Sequence, residues 1–522
     1  MISDLDNDDR VEKPTPGPSK MTPPIGTGSK SYLQIVKSTM LIGGSSVINV
    51  MFSIIRNKAM ALLLGPEGIG VMALYSSIAD ISQTVAGLGI NASGVRQIAA
   101  VNSKDTVQIA EVVAVLRRVS LLLGFVGTAL LLLFSEPVAQ FTFGTPQHTV
   151  GVMLLSLAVF FQVAAGGRAA LIQGMRDISS LAWMSVLGGL FSVVVGVPII
   201  YFFGEPGIAI SLVAAAFASF VASWWFSRRI DIPRVPVTAR RALQETSALF
   251  KLGIVFMASG FLTMGSAYAI RLIVSSESGL HAAGLYQAAW SLGGLYAGFI
   301  LQAMGTDFYP RLTAVCENNA ECNRLVNEQT EVSILLAGPG LIATLTLAPA
   351  VMALFYSSAF QGAVDILRWI CLGMMLRIVA WPIGFIILAK GAKAIFFWSE
   401  VAAAVVHVGL AWLCVPAFGA AGAGLAFFGL YVWHSVLMYC VARRFTNFRW
   451  SPANRKLITA YLPISALVFG AFQCLPLWQA TSLGLCIAIL VGLFSLRMLA
   501  GLLPQHMFPK AIRPLLESIR GA

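Results

Sequence analysis

Residues 53–81 read SIIRNKAMALLLGPEGIGVMALYSSIADI, two apolar runs on either side of a Gly-Pro-Glu-Gly turn. Glycine followed by proline is turn punctuation, and the residue before a proline is pushed out of the helical region. Each run extends to roughly the length needed to cross a hydrocarbon core of about 30 Å, so the stretch reads as a membrane hairpin of two helices, 38–63 and 68–90. Arg56 and Asp80 stand inside these runs, where a charge is costly and usually functional.

The rest of the 522-residue chain has the same character. Hydrophobic residues make up 57% and charged residues 11%, against about 25% charged in an ordinary soluble domain. A water-soluble globule of this size could not cover its surface with so few charges. That excludes a soluble enzyme, a secreted disulfide scaffold and a disordered protein, and leaves an all-α, polytopic membrane protein. Fourteen spans are expected, from 38–63 to 480–502, among them 251–274 and 284–306. Residues 1–31, polar and lacking an apolar signal region, are expected as a disordered cytoplasmic tail, with the first span directing insertion. The seven cysteines lack metal-ligand spacing and read as packing residues.

The net charge of +12 is a matter of loops rather than of nucleic acid. With the N-terminus in the cytoplasm, most Lys and Arg fall on the cytoplasmic side, in clusters such as Arg117-Arg118, Arg228-Arg229 and Arg443-Arg444. The opposite loops SEPVAQFTFGTPQHT, FGEPG and SSESGLHAAG carry none. Positive residues mark the cytoplasmic side, so both termini are expected there. Arg56, Lys58, Arg271, Arg368, Arg377 and Arg497 escape this pattern by lying in or at the outer ends of helices.

The halves of the chain match at an offset of 215 residues: Arg56 with Arg271, Ser76 with Ser291, Gly204 with Gly419, Gly207 with Gly422, and Arg228-Arg229 with Arg443-Arg444. Six spans separate equivalent positions, so the halves run the same way through the membrane. Parallel repeats of this kind occur in secondary transporters, with the substrate between the halves. The expected organisation is an N-terminal lobe at 32–230, a cytoplasmic linker at 231–250, a C-terminal lobe at 251–444, two extra helices at 445–502 and a cytoplasmic tail at 503–522.

The hairpin at 53–81, GLYQAAWSLGGLYAGFILQAMGTDFYPRLTA at 284–314 and LRIVAWPIGFIILAKG at 376–391 resemble the O-antigen translocases. These are the Wzx-type polysaccharide flippases of the multidrug/oligosaccharidyl-lipid/polysaccharide (MOP) exporter superfamily. The resemblance covers about residues 32–500. It implies two pseudo-symmetric six-helix lobes around a central cavity, two additional C-terminal helices, and alternating access. The implied substrate is an undecaprenyl-diphosphate-linked oligosaccharide, moved from the inner to the outer leaflet of a bacterial cytoplasmic membrane. A polysaccharide polymerase is an implied partner. Lipid II flippases of the superfamily are similar in carrying an arginine nine residues before a loop glycine, as Arg56 stands before Gly65.

Guanidinium groups bind phosphate oxygens bidentately and stay charged, which makes Arg56, Arg271 and Arg377 the candidate diphosphate site. Snorkelling to headgroups is the alternative for Arg56 and Arg271, and an ion pair with a neighbouring carboxylate the alternative for Arg377. Pro382, five residues on, fits a helix that bends. Asp80, Glu400 and His407 are candidates for coupling to H+ or Na+; Asp80 could instead pair with Arg56 or another cavity base. His407 and His434 could equally make interhelical hydrogen bonds. Tyr75, Tyr268, Tyr286, Trp290 and Trp381 could stack on sugar rings, or serve as core and belt residues. No metal motif, nucleotide-binding loop or resident cofactor is expected. A drug or cation exporter of the same superfamily would need more intramembrane acid than this chain shows. A membrane polymerase or ligase would need larger outer loops.

Overall fold

The computed structural model describes residues 28–101, 106–233, 235–303 and 308–502. Most of the expected N-terminal tail and the tail at 503–522 lie outside the described residues. Within them the chain is helical throughout, with short turns and no strand. The first half contains α1 (Gly28–Gly87), α2 (Ile90–Ala100), α3 (Thr106–Leu133), α4 (Ser135–Phe143), α5 (Thr149–Gly174), α6 (Ile178–Val194), α7 (Gly196–Phe203) and α8 (Gly207–Ser227). Next come α9 (Ala239–Ala303), α10 (Tyr309–Ala314), α11 (Asn319–Thr346), α12 (Ala348–Phe355), α13 (Val364–Ala389), α14 (Lys393–Phe418) and α15 (Ala421–Thr446). Last are α16 (Pro452–Cys474) and α17 (Leu477–Leu502).

Ten of the described helices are long and apolar enough to cross a membrane, or twelve if each of two bent pairs is one span. The bent pairs are α3 with α4, at 63°, and α11 with α12, at 83°. Fourteen spans were expected; α1 and α9, each counted once here, are each interrupted by a glycine in the left-handed region. Gly65 has φ 65° and Gly279 φ 85°, conformations that cost a residue with a Cβ more than glycine. Pro66 follows the first break and needs no amide hydrogen there. Both helices double back at these points. In one straight helix residues 56 and 80 would stand about 36 Å apart, yet Arg56 and Asp80 line one small cavity. Arg271 and Gln287 would be about 24 Å apart, yet they are hydrogen-bonded at 2.9 Å.

The two halves meet along α1 and α9. A Cβ at Gly70 would collide with the Leu280 carbonyl, and one at Gly284 with the Pro66 carbonyl. The partners are equivalent at an offset of 214, so this contact repeats itself about the pseudo-two-fold. Further along, Gly204 and Gly419 (φ 61° and 60°) end α7 and α14, and Gly207 and Gly422 pack on the carbonyls of Ile199 and Cys414, all at an offset of 215. The repeat therefore slips by one residue between the hairpins and the later helices of each half. A second inter-half contact joins the α1–α2 turn to α9, where Gly89 and Gly253 abut backbone to backbone.

The largest apolar core runs through both halves, with α13 buried between α9, α11 and α15. Outward-facing Phe, Leu and Trp residues such as Phe202, Trp398 and Trp412 are exposed, as expected of a surface solvated by lipid. Cys322 and Cys371 are core residues, but Cys440, Cys474 and Cys486 are exposed and do not pack. Helices α16 and α17 dock on α11. There, Asn327 Oδ1 accepts from the Ser451 amide at 2.8 Å and from Asn454 Nδ2 at 2.9 Å.

Candidate functional site

The six residues singled out by sequence fall in two neighbouring cavities. The smaller, of about 140 Å³, lies where the α1 and α9 hairpins meet and is lined by Arg56, Asn57, Asp80, Arg271, Gln287 and Tyr356, among others. The larger, of about 540 Å³, is built by α9, α13, α14 and α15, with Arg377, Glu400 and His407 on its wall. Arg271 lines both.

Arg271 is held in a fixed pose. Its Nε donates to Gln287 Oε1 at 2.9 Å and its Nη1 to Ser77 Oγ at 2.9 Å, while Gln287 Nε2 donates to Ser291 Oγ at 3.1 Å. Arg56 is held loosely: Nη2 reaches Asn57 Oδ1 at 3.4 Å, and its buried Nε has no protein partner. Both arginines face a shared cavity, as a paired site requires, but they are not symmetry equivalents. Arg271 stands eight residues before Gly279 and Arg56 nine before Gly65, so in the hairpin register Asn57 is the counterpart of Arg271. One residue turns a helix by about 100°, which is why the two guanidinium groups find different partners.

Asp80 is exposed to the smaller cavity and forms no ion pair within 4.0 Å among the described residues. The alternative of an Asp80–Arg56 bridge is therefore not what the structure contains. Arg377 also lacks a carboxylate within that distance, so the ion-pair alternative fails there too. Its guanidinium lies 4.6 Å from the Trp381 ring centroid and 5.6 Å from that of Tyr431, and its Nε is buried without a hydrogen bond. Three arginines elsewhere are paired: Arg241 with Glu111 and Glu245, Arg324 with Glu321 and Glu328, and Arg368 with Asp365. Lys58 donates to the Ala353 carbonyl at 2.7 Å. Helix α13 passes through Pro382 without an interruption.

Glu400 and His407, two turns apart on α14, both face the larger cavity, joined there by His434 of α15. The interhelical hydrogen bonds expected of the histidines are absent among the described residues. His407 Nε2 and His434 Nδ1 are buried without a partner, and buried polar atoms of this kind call for explanation. Of the candidate stacking residues, Tyr286, Trp290 and Trp381 line this cavity. Tyr75 and Tyr268 line neither cavity: the Tyr75 hydroxyl meets His148 Nδ1 at 3.1 Å and the Tyr268 hydroxyl meets Thr142 Oγ1 at 2.5 Å. Sequence reasoning missed Asn57, Gln287, Ser291, Tyr356 and Tyr431. Uncharged polar residues in apolar helices are weak signals, although Asn57 and Gln287 stand within the two hairpins themselves.

A sequence model of the family described as "Polysaccharide biosynthesis protein" matches residues 59–365. The chain belongs to this family. Among curated relatives, the "Lipid III flippase" of Escherichia coli (strain K12) is 23% identical over 406 residues, covering 77% of this chain and 96% of the relative. Among solved structures, an inward-facing multidrug resistance MATE family transporter of the MOP superfamily superposes with TM-score 0.66 at 18% identity, covering 77% of this chain and 95% of the other. The lipid II flippase MurJ, in an inward closed conformation, gives TM-score 0.64 at 11% identity, over 89% and 99% of the two chains. This polysaccharide biosynthesis family member thus shares the fold of those MOP superfamily transporters; its smaller cavity lies where the two halves meet, and its larger cavity is lined by helices of the C-terminal half.

Proposed function

We propose that the protein is a flippase that moves an undecaprenyl-diphosphate-linked oligosaccharide, of the O-antigen or a related kind, from the inner to the outer leaflet of a bacterial cytoplasmic membrane by alternating access. Both termini then lie in the cytoplasm, as the distribution of basic loops supports. The observation that carries the reading is the smaller cavity, in which Arg56 and Arg271 converge between the halves without a carboxylate in ion-pair contact. The curated flippase relative supports the same class of cargo.

In this reading Arg271, fixed by Gln287 and Ser77, presents its remaining donors to the diphosphate, and the looser Arg56 closes on it. Charge-assisted, bidentate bonds replace the hydration that the headgroup sheds. Arg377 adds positive charge from the neighbouring cavity. Asp80, Glu400 and His407 are the coupling groups: a proton or Na+ taken up at Asp80 or Glu400 makes the cavities more positive and favours the anion, and its release favours departure. The polyprenyl tail stays in lipid, the surrounding membrane lipids complete the path, and the product passes to a polysaccharide polymerase. A cation exporter of the same superfamily is the second reading, favoured by the MATE neighbour. Three cavity arginines against two carboxylates favour an anionic cargo over it.

The test is translocation of a fluorescent undecaprenyl-diphosphate oligosaccharide in proteoliposomes. The reading expects flipping by the wild type and its loss in Arg56→Ala and Arg271→Ala at matched incorporation. Flipping retained by both variants would remove the arginine clamp, and absence of flipping by the wild type would remove the cargo.

A further inference from the structure

The larger cavity carries more chemistry than a diphosphate clamp uses. We propose that it is a saccharide subsite and that Arg377 selects, within it, a sugar bearing a carboxylate. The inference rests on the reading of the smaller cavity as the diphosphate site.

The order of the cavities matches the order of groups in such a lipid. A sugar follows the diphosphate directly, and Arg271 lines both spaces, so a headgroup whose phosphates engage Arg271 has its first sugar at the mouth of the larger cavity. That cavity, about 540 Å³, falls in the range of about 300–1,000 Å³ typical of small-molecule sites. Trp290 and Trp381 offer broad aromatic faces, apolar in body and polar at one edge, suited to the C–H faces of a pyranose. The unpartnered His407 Nε2 and His434 Nδ1 are matched by sugar hydroxyls, which donate and accept.

Arg377 supplies the selection. It is pinned against Trp381 and Tyr431, its Nε is buried without a partner, and neither Glu400 nor any other described carboxylate lies within 4.0 Å. The other cavity charges are Glu400 and Arg271. A planar cation held in place with no carboxylate in contact, Glu400 standing farther along the same wall, fits an incoming carboxylate, which it can grip with two parallel N–H bonds. A neutral sugar would leave its fork without a carboxylate in contact.

The experiment uses full-length protein in lipid nanodiscs and three short-chain polyprenyl diphosphate probes: one without sugar, one carrying glucose and one carrying glucuronic acid. Binding is read by isothermal titration calorimetry. The glucuronosyl probe is expected to bind wild type about tenfold or more tightly than the glucosyl probe, the size expected of a charged hydrogen bond. Arg377→Gln should erase that preference, while the loss of the positive charge it lends the diphosphate falls equally on the glucosyl and sugar-free probes. Arg377→Lys, which keeps the charge and so guards against misfolding, should keep only part of it. Trp381→Leu should weaken both sugar probes and spare the sugar-free one. Equal affinity of wild type for the two sugars, a preference that survives in Arg377→Gln, or a glucosyl probe no tighter than the sugar-free probe overturns the proposal. Indifference of the sugar-free probe to Arg56→Ala overturns the diphosphate reading instead, so the two failures are distinct.

Discussion

Gly70 and Gly284 meet back to back across the pseudo-two-fold: a Cβ built on Gly70 would lie 3.1 Å from the Gly284 nitrogen, and one on Gly284 3.0 Å from the Gly70 nitrogen. In a membrane, helices gain little from hiding apolar surface from one another, and small residues that let backbones approach become the association sites. This contact closes one end of the interface between the halves, and Gly89 against Gly253 lies towards the other end of the same helices.

Replacing Gly70 or Gly284 with valine should force the hairpins apart. The expected cost is about 1–3 kcal/mol of overpacking strain, read as a lower Tm of the purified protein. An unchanged Tm in both variants would show that the contact is slack.

Arg271 and Arg56 should respond differently to lysine. Arg271→Lys removes the fork that spans Gln287 and Ser77, so this variant should retain only a minor part of the flipping rate. Arg56, with one long hydrogen bond of 3.4 Å, has less geometry to lose, and Arg56→Lys should retain more. Equal losses in the proteoliposome assay would contradict this ranking.

Asp80→Asn and Glu400→Gln should uncouple transport from an imposed ion gradient while leaving downhill exchange. The measurement is the ratio of flipping rates with and without a proton or sodium gradient across proteoliposomes. A ratio unchanged in both variants would leave the coupling elsewhere.

Asn327→Ala should loosen the C-terminal helices without touching either cavity. It strands the Ser451 amide and takes one of two acceptors from the fully buried Asn454 Nδ2, which keeps its 2.8 Å bond to the backbone carbonyl of residue 327, at about 1–3 kcal/mol for the polar group left unpaired. Hydrogen exchange should rise along α16, and transport should persist where the protein remains folded.

Arg241 ties the start of α9 to Glu111 of α3 at 3.0 Å. Both side chains are partly exposed, so a double-mutant cycle with alanine should return a coupling of about 0.2–1 kcal/mol that shrinks with salt. A larger, salt-independent coupling would mark it as a buried latch.

The sequence by itself determined the class of protein, the reversal at Gly65, and the intramembrane arginines and acids that line the two cavities. Each of these is a one-dimensional signal: too few charges to face water, helix-breaking punctuation, and ions where lipid excludes them. It also exposed the repeat, because Gly204 and Gly419 occupy the same strained turn. Tertiary structure alone decided which of these groups meet. The one-residue slip that pairs Asn57, and not Arg56, with Arg271 is invisible to a comparison of letters at one offset. The division into two cavities, with Arg271 on both, depends on how α9 lies against α1 and α13. So do the exclusion of Tyr75 and Tyr268, the arrival of His434, and the absence of a carboxylate beside Arg377. The physical reason is common to all of them. Lipid tails and helix neighbours are equally apolar, so composition does not say which face of a spanning helix turns inward; close backbone packing at a few glycines does.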